Sequence, residues 1–166
     1  MNKVYSLIKN DLGFYQVEPK PSPEELYEHY SKKYYQNNHS TYNSNYNSDE
    51  IKYFENEAEL SRLTLEKYKK DIVKNLLDLG CGEGFFSKHF NWHNWKIKCV
   101  DFSKDGIKRH NPELLSDFEQ VDLLHYIQSN HNNINKYGLI NLDNVLEHVI
   151  DPVDLLQTLK KNMNSE

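Results

Sequence analysis

Leu76-Leu77-Asp78-Leu79-Gly80-Cys81-Gly82-Glu83-Gly84-Phe85-Phe86 decides the fold of this chain. Leu76, Leu77 and Leu79 form a short apolar run that reads as a buried parallel strand, and Asp78 lies within its end. Gly80, Gly82 and Gly84 follow at every second position and supply a turn whose backbone a ligand can approach closely. The next strand-like run, Lys96 to Asp101, also ends in an acid, 17 residues after Gly84. Strand, glycine turn, helix, strand and terminal acid make a nucleoside-binding βαβ unit. A dinucleotide fingerprint needs G-x-G-x-x-G, with its third glycine letting a helix approach a pyrophosphate. Here the register is G-x-G-x-G, and Phe85 stands where that glycine would be, which argues against a diphosphate ligand.

Outward from this unit, strands and helices alternate. Towards the C-terminus, Ser103 caps a helix through about Arg109, and Asn111-Pro112 breaks it. Phe118 to Val121 is a third strand ending at Asp122, followed by a helix from Leu123 to about Ser129. Tyr137 to Leu142 is a fourth strand, after which Asp143-Asn144 caps a short VLEHV helix. Asp151, Pro152 and Asp154 open a last helix with Leu155, Leu156 and Leu159 as its stripe. Alternation at this pace predicts an α/β fold, a doubly wound parallel sheet. Ligands of such sheets lie beyond the carboxyl ends of the strands, where Asp78, Asp101, Asp122 and Asp143 all fall.

Towards the N-terminus, Ser48 is read as the cap of a long helix to about Lys70. Its stripe is Ile51, Phe54, Ala58, Leu65, Tyr68 and Ile72, widened by Leu60 and Leu63. Residues 36 to 49 are polar and low in complexity, with Tyr42 and Tyr46 as their large side chains. They read either as a mobile surface loop or as a lid whose tyrosines close over a ligand. Ser22, Pro23 and Glu25 form a helix start, with that helix ending near Tyr35. Gly13 to Pro23 reads as an extended arm broken by prolines. The expected organisation is therefore an N-terminal arm, helix and tyrosine-rich lid over 1–47 and a ligand-binding domain over 48–166.

The chain has 166 residues, enough for one domain with a sizeable core, and a net charge of −5 with scattered basic residues. That charge pattern provides no footprint for nucleic acid, and no apolar run is long enough to span a membrane. The N-terminus lacks a signal pattern, which places the chain in the cytoplasm. Cys81 and Cys99 fit reduced thiols in a loop and a core strand. Cys81 reads as a packing residue because no His partner stands at a recognisable spacing.

Together, LLDLGCGEGFF, VDFSKDGI, EQVDL and INLDNVLEHVIDP resemble motifs I to IV of class I S-adenosylmethionine (SAM)-dependent methyltransferases, in order, over roughly Leu65 to Met163. The resemblance implies a Rossmann-like fold and SAM as cofactor. It places Gly80, Cys81 and Gly82 along the methionine part of SAM, with Asp78 orienting the loop. It places Asp101 on the ribose hydroxyls, Phe102 against the adenine, and Asp122 with Leu123 at the adenine edge. Leu142 and Asp143 would border the transfer site. An acid at a strand end can also simply cap the next helix, and for Asp122 and Asp143 both readings stand. His148 is a candidate general base, or a structural residue beginning a turn.

GFYQVEPKPSPEELYEHYSKKYY resembles the segment that precedes this domain in methyltransferases of sugars and small metabolites, often after a cysteine-rich zinc ribbon. The ribbon cysteines are absent, so no zinc is expected. The implied acceptor is a small molecule or a sugar. Gly138 stands where the family commonly has an acid. The family sheet has seven strands, and only strands one to four are found here, so the chain reads as truncated at its C-terminus. The fourth strand would then be an open edge, predicting a homodimer across it or low stability. A non-catalytic SAM-binding module made by truncation is the alternative function, and a nicotinamide-dependent oxidoreductase is disfavoured by the glycine register.

Overall fold

The computed structural model describes residues 4–28 and 45–163. The chain divides into two compact units, Met1–Thr41 and Tyr42–Glu166.

In the first unit the sequence reading needs a correction. The expected extended arm, Gly13 to Pro23, holds the second strand of an antiparallel hairpin, β1 (Ser6–Lys9) and β2 (Tyr15–Glu18), in register from Ser6 opposite Glu18 to Lys9 opposite Tyr15. Gly13 takes φ 92°, and the Asn10 carbonyl accepts from its N–H, closing the turn. Leu7, Val17 and Tyr15 remain exposed, so no buried alternation marked the strands in the sequence. Then α1 (Pro23–Glu28) starts as predicted: Ser22 Oγ accepts from Glu25 N–H while the Glu25 carboxylate accepts from Ser22 N–H. The expected continuation to Tyr35, and Tyr42, lie outside the described residues.

The second unit opens with α2 (Ser48–Tyr68), whose cap is Asn47 rather than Ser48. Asn47 Oδ1 accepts from the N–H groups of Asp49 and Glu50, and the Glu50 carboxylate accepts from Asn47 N–H. Asn47 wins because Glu50 stands three residues after it, whereas Ile51 stands three after Ser48. The buried stripe is narrower than predicted: Ala58 is fully buried, but Leu60, Leu63 and Tyr68 are exposed.

The parallel sheet consists of β3 (Asn75–Leu79), β4 (Lys96–Asp101), β5 (Phe118–Gln120) and β6 (Leu139–Asn141), in the order β5-β4-β3-β6. This is a Rossmann-like arrangement, with α3 (Phe85–Trp92), α4 (Asp105–His110), α5 (Leu123–Ser129) and α6 (Pro152–Asn162) between and after the strands. Successive residues of β3 serve opposite faces. Leu77 and Leu79 join Val100, Ile127, Ile134 and Leu155 in one core, while Leu76 joins Phe90, Trp95, Ile97 and Ile107 in the other. Each such buried aliphatic side chain contributes roughly 2 kcal/mol, so β3 is the best anchored strand of the sheet.

Gly138 now has a physical reason. Its N–H donates to the Asn75 carbonyl at 3.0 Å, and a Cβ there would run into the Val73 carbonyl oxygen. Close backbone approach at the start of β6 therefore excludes the acid expected at this position.

Candidate functional site

The glycine loop connects β3 to α3 at the carboxyl edge of the sheet. Gly80, Gly82 and Gly84 all have positive φ, at 76°, 53° and 79°, a conformation in which L side chains are strained. A Cβ on Gly80 would strike the Val145 side chain, and one on Gly106 at the start of α4 would lie 2.9 Å from the Gly82 carbonyl oxygen. The loop is thus clamped from both neighbouring connections. Its amide donors point inward: the N–H groups of Gly80 and Cys81 reach the Val100 carbonyl at 2.8 and 3.2 Å, and that of Gly84 reaches the Cys81 carbonyl at 2.8 Å. Gly82 N–H donates to Asp101 Oδ2 at 2.9 Å.

Asp78 is almost fully buried beneath this loop. Its carboxylate accepts from Ser87 Oγ of α3 at 2.7 Å and from Asn141 Nδ2 of β6 at 2.8 Å, tying three elements together. Burial pushes its pKa up to about 6 against these two stabilising hydrogen bonds, and the nearby charges of Asp101 and Asp143 push in the same direction as burial. Three of the four strand-end acids therefore gather in one electrostatic neighbourhood. The Cys81 thiol is half-buried, and its hydrogen bond with Cys99, desolvation and the neighbouring acids hold its pKa above the ordinary thiol value. Such a thiol is a packing group rather than a nucleophile.

Asp101 ends β4 with 8% exposure. Its Oδ2 accepts from Gly82 N–H and its Oδ1 from Ser103 N–H, each at 2.9 Å, so the carboxylate is oriented by two loops at once. Phe102 follows, half-buried, with its carbonyl accepting from Gln120 Nε2 at 3.1 Å. Ser103 is not the direct cap of α4. Lys104 occupies that position, and Ser103 Oγ accepts from Asp105 N–H at 3.2 Å.

The other two strand ends differ. Asp122 is exposed and caps α5, with Oδ1 accepting from His125 N–H at 2.9 Å. Leu123 and Leu142 are half-buried and pack against the Leu77 core. Asp143 is exposed, and the predicted capping pair Asp143-Asn144 is not realised. The VLEHV stretch forms a 3-10 turn, Leu146–His148, whose capping position is Val145, without a side-chain bond. Asn144 instead takes φ 52° to turn the chain. His148 lies on that turn, exposed, with Nε2 4.0 Å from Glu147 Oε1.

Several contacts near the loop were not legible in the sequence because the partners are distant in the chain, although Tyr46 itself stood in the stretch read as a loop or a lid. Tyr46 Oη donates to Glu83 Oε1 at 2.6 Å, and its ring meets Phe54 and Phe85 edge-on at 5.1 and 5.5 Å. Phe85, in the position where a dinucleotide site needs glycine, stacks on Phe54 of α2 at 4.8 Å. Asn111, read only as a helix breaker, is fully buried and donates through Nδ2 to the Glu83 carbonyl at 2.7 Å. A cavity of about 230 Å³ opens beside these residues, lined by Tyr46, Phe85, Lys88, Trp92, His110 and others. None of the predicted cofactor residues lines it.

A family model described as a methyltransferase domain matches residues 39–166. No curated protein and no solved structure matches the chain. The family match spans the whole sheet and the glycine loop whose geometry is described above. The chain belongs to the methyltransferase-domain family.

Proposed function

We infer that the protein is a class I SAM-dependent methyltransferase with a small-molecule or sugar acceptor. The carrying observation is Asp101, buried at a strand end with its carboxylate held by Gly82 N–H and Ser103 N–H. A carboxylate has about four acceptor positions, so this orientation is compatible with accepting from two ribose hydroxyls. The loop donors at Gly80, Cys81, Gly82 and Gly84 are directed to protein acceptors. That arrangement suits a ligand part without phosphate and speaks against a nicotinamide dinucleotide.

In this reading Gly80, Cys81 and Gly82 border the methionine part of SAM, with Asp78 bracing the loop from below. Phe102 lies by the adenine, and Asp122 and Leu123 by its edge. Bound SAM supplies an activated methyl on a sulfonium. The chain's task is then to hold an acceptor in line, with Leu142 and Asp143 bordering that space. A hydroxyl acceptor also needs a base, for which His148 is the candidate on the turn after β6. Its exposure, with that of Asp143, favours a second reading in which the chain binds SAM without turnover. Among the described residues β6 pairs with β3 alone, which supports dimerisation through its outer edge. No helix among the described residues is long and apolar enough to cross a membrane, and we place the protein in the cytoplasm.

The test is S-adenosylhomocysteine release from SAM in the presence of a small-metabolite extract. Release by the wild type that is lost in Asp101→Ala supports the enzyme. SAM binding without release supports the binding module, and absence of SAM binding overturns both.

A further inference from the structure

α2, α3 and the residue capping α3 bring together Glu59, His89 and His93. One ligand atom from each lies within 4.8 Å of the others. We propose that this trio is a divalent transition-metal site, selective for zinc-like ions, that staples α2 to α3. It is unrelated to the cysteine ribbon considered above and uses a different part of the chain.

His89 lies in the last turn of α3 and His93 is the residue that caps its C-terminus, and their rings lie 4.6 Å apart. Glu59 faces them from α2, with Oε2 at 2.8 Å from His89 Nε2 and 4.0 Å from His93 Nε2. In a tetrahedral zinc site with bonds of 2.0–2.1 Å, neighbouring ligand atoms are about 3.3 Å apart. The two observed separations bracket that value, so small side-chain rotations admit an ion.

The surrounding bonds prepare the ligands. His93 Nδ1 is 2.9 Å from the His89 carbonyl oxygen. A carbonyl can only accept, so Nδ1 carries the proton and Nε2 presents its lone pair towards Glu59. His89 is buried and its Nδ1 has no partner among the described residues. Ligation through Nε2 moves the proton to Nδ1 and exchanges the 2.8 Å hydrogen bond to Glu59 for the metal bond, so the ion must contribute more than that hydrogen bond does. Arg62 opposes a cation, since its Nε and Nη2 donate to both oxygens of Glu59. Its charge is in turn met by Glu66, with Nη1 at 2.7 Å from Oε2. Arg62 then acts as the outer partner that orients the ligating carboxylate, while Glu59 Oε2 turns to the metal. Two imidazoles and one carboxylate suit zinc, and the fourth position is left to water.

The test is titration of the full chain with zinc chloride against a chromophoric chelator, paired with cobalt(II) absorption and thermal melting. The expected result is one equivalent bound, intense tetrahedral cobalt bands, and a raised melting temperature. His93→Ala, at the solvent-facing end of α3, and Glu59→Gln should each weaken binding about 10-fold or more, while His131→Ala on a distant turn should not. Circular dichroism of each variant shows whether it folds, and His93→Ala alone suffices if Glu59→Gln does not. Absence of saturable binding overturns the site, as does binding that His93→Ala leaves unchanged.

Discussion

Asp78, one residue before the end of β3, and Asp101, the last residue of β4, lie on adjacent strands of one sheet yet are held differently. Asp78 is sealed beneath the glycine loop, and Ser87 of α3 and Asn141 of β6 hydrogen-bond to its carboxylate. Asp101, also buried, is held by backbone N–H groups of the glycine loop and of the turn after β4. An acid engaged by side chains from two other elements is a structural tie, and its desolvation is a standing penalty. An acid aligned by loop backbone is preorganised towards a ligand. On the proposed function the same residue type does two jobs, separated by the groups that hold each carboxylate.

The sharpest way to break this contrast is Asp101→Ala. It removes two charge-assisted acceptors for ribose hydroxyls, worth roughly 1.5–3 kcal/mol each. SAM affinity measured by calorimetry should fall more than about 100-fold, with a smaller change in melting temperature. If stability falls and affinity holds, the two acids have been assigned the wrong way round.

Gly80→Ala probes the hinge between them. Positive φ and collision with Val145 should destabilise by roughly 3 kcal/mol in urea melts. Val145→Ala in the same chain should restore the part due to the collision but not the part due to φ.

Asp78 predicts a pH dependence. Its folded pKa of about 6 exceeds the unfolded value of 3.8, so the folded state binds more protons between them. The stability it contributes is fully present below about pH 4 and is lost as pH rises through about 6, by at most about 3 kcal/mol. Asp78→Asn lacks that titration. The wild type should therefore lose stability relative to the variant between pH 4 and pH 7 in parallel urea melts, and equal slopes would sink the claim.

The smallest effect belongs to Asp122→Ala. Loss of the α5 cap should cost about 1 kcal/mol, with SAM affinity changing less than about threefold if capping is its whole role. A larger affinity loss would restore Asp122 to the adenine edge and extend the ligand-facing class to a second strand end.

What the sequence made legible follows the range of the interactions. The unit from Leu76 to Asp101 is built from local signals, apolar runs and glycines, and it was readable as a strand, turn and helix. The place of Asp101 at the end of the second strand of that unit was readable too, because the apolar run stops at it. The separate roles of Asp78 and Asp101 came from the family resemblance alone, and the groups that hold Asp78 were not legible, since Ser87 and Asn141 approach it from 9 and 63 residues away. The hairpin of β1 and β2 was hidden because its apolar residues face solvent. The Asn47 cap was within reach, because Glu50 completes its box and a neighbouring serine merely competed with it. Contact between Glu59 and His89, 30 residues apart, leaves no trace in the sequence beyond the spacing of His89 and His93.

The most direct test of the central claim is calorimetric titration of the wild-type chain with SAM, S-adenosylhomocysteine and NAD in turn. The account predicts saturable one-to-one binding of the two sulfur ligands and none of NAD. Saturable NAD binding, or a flat trace with both sulfur ligands, would contradict it.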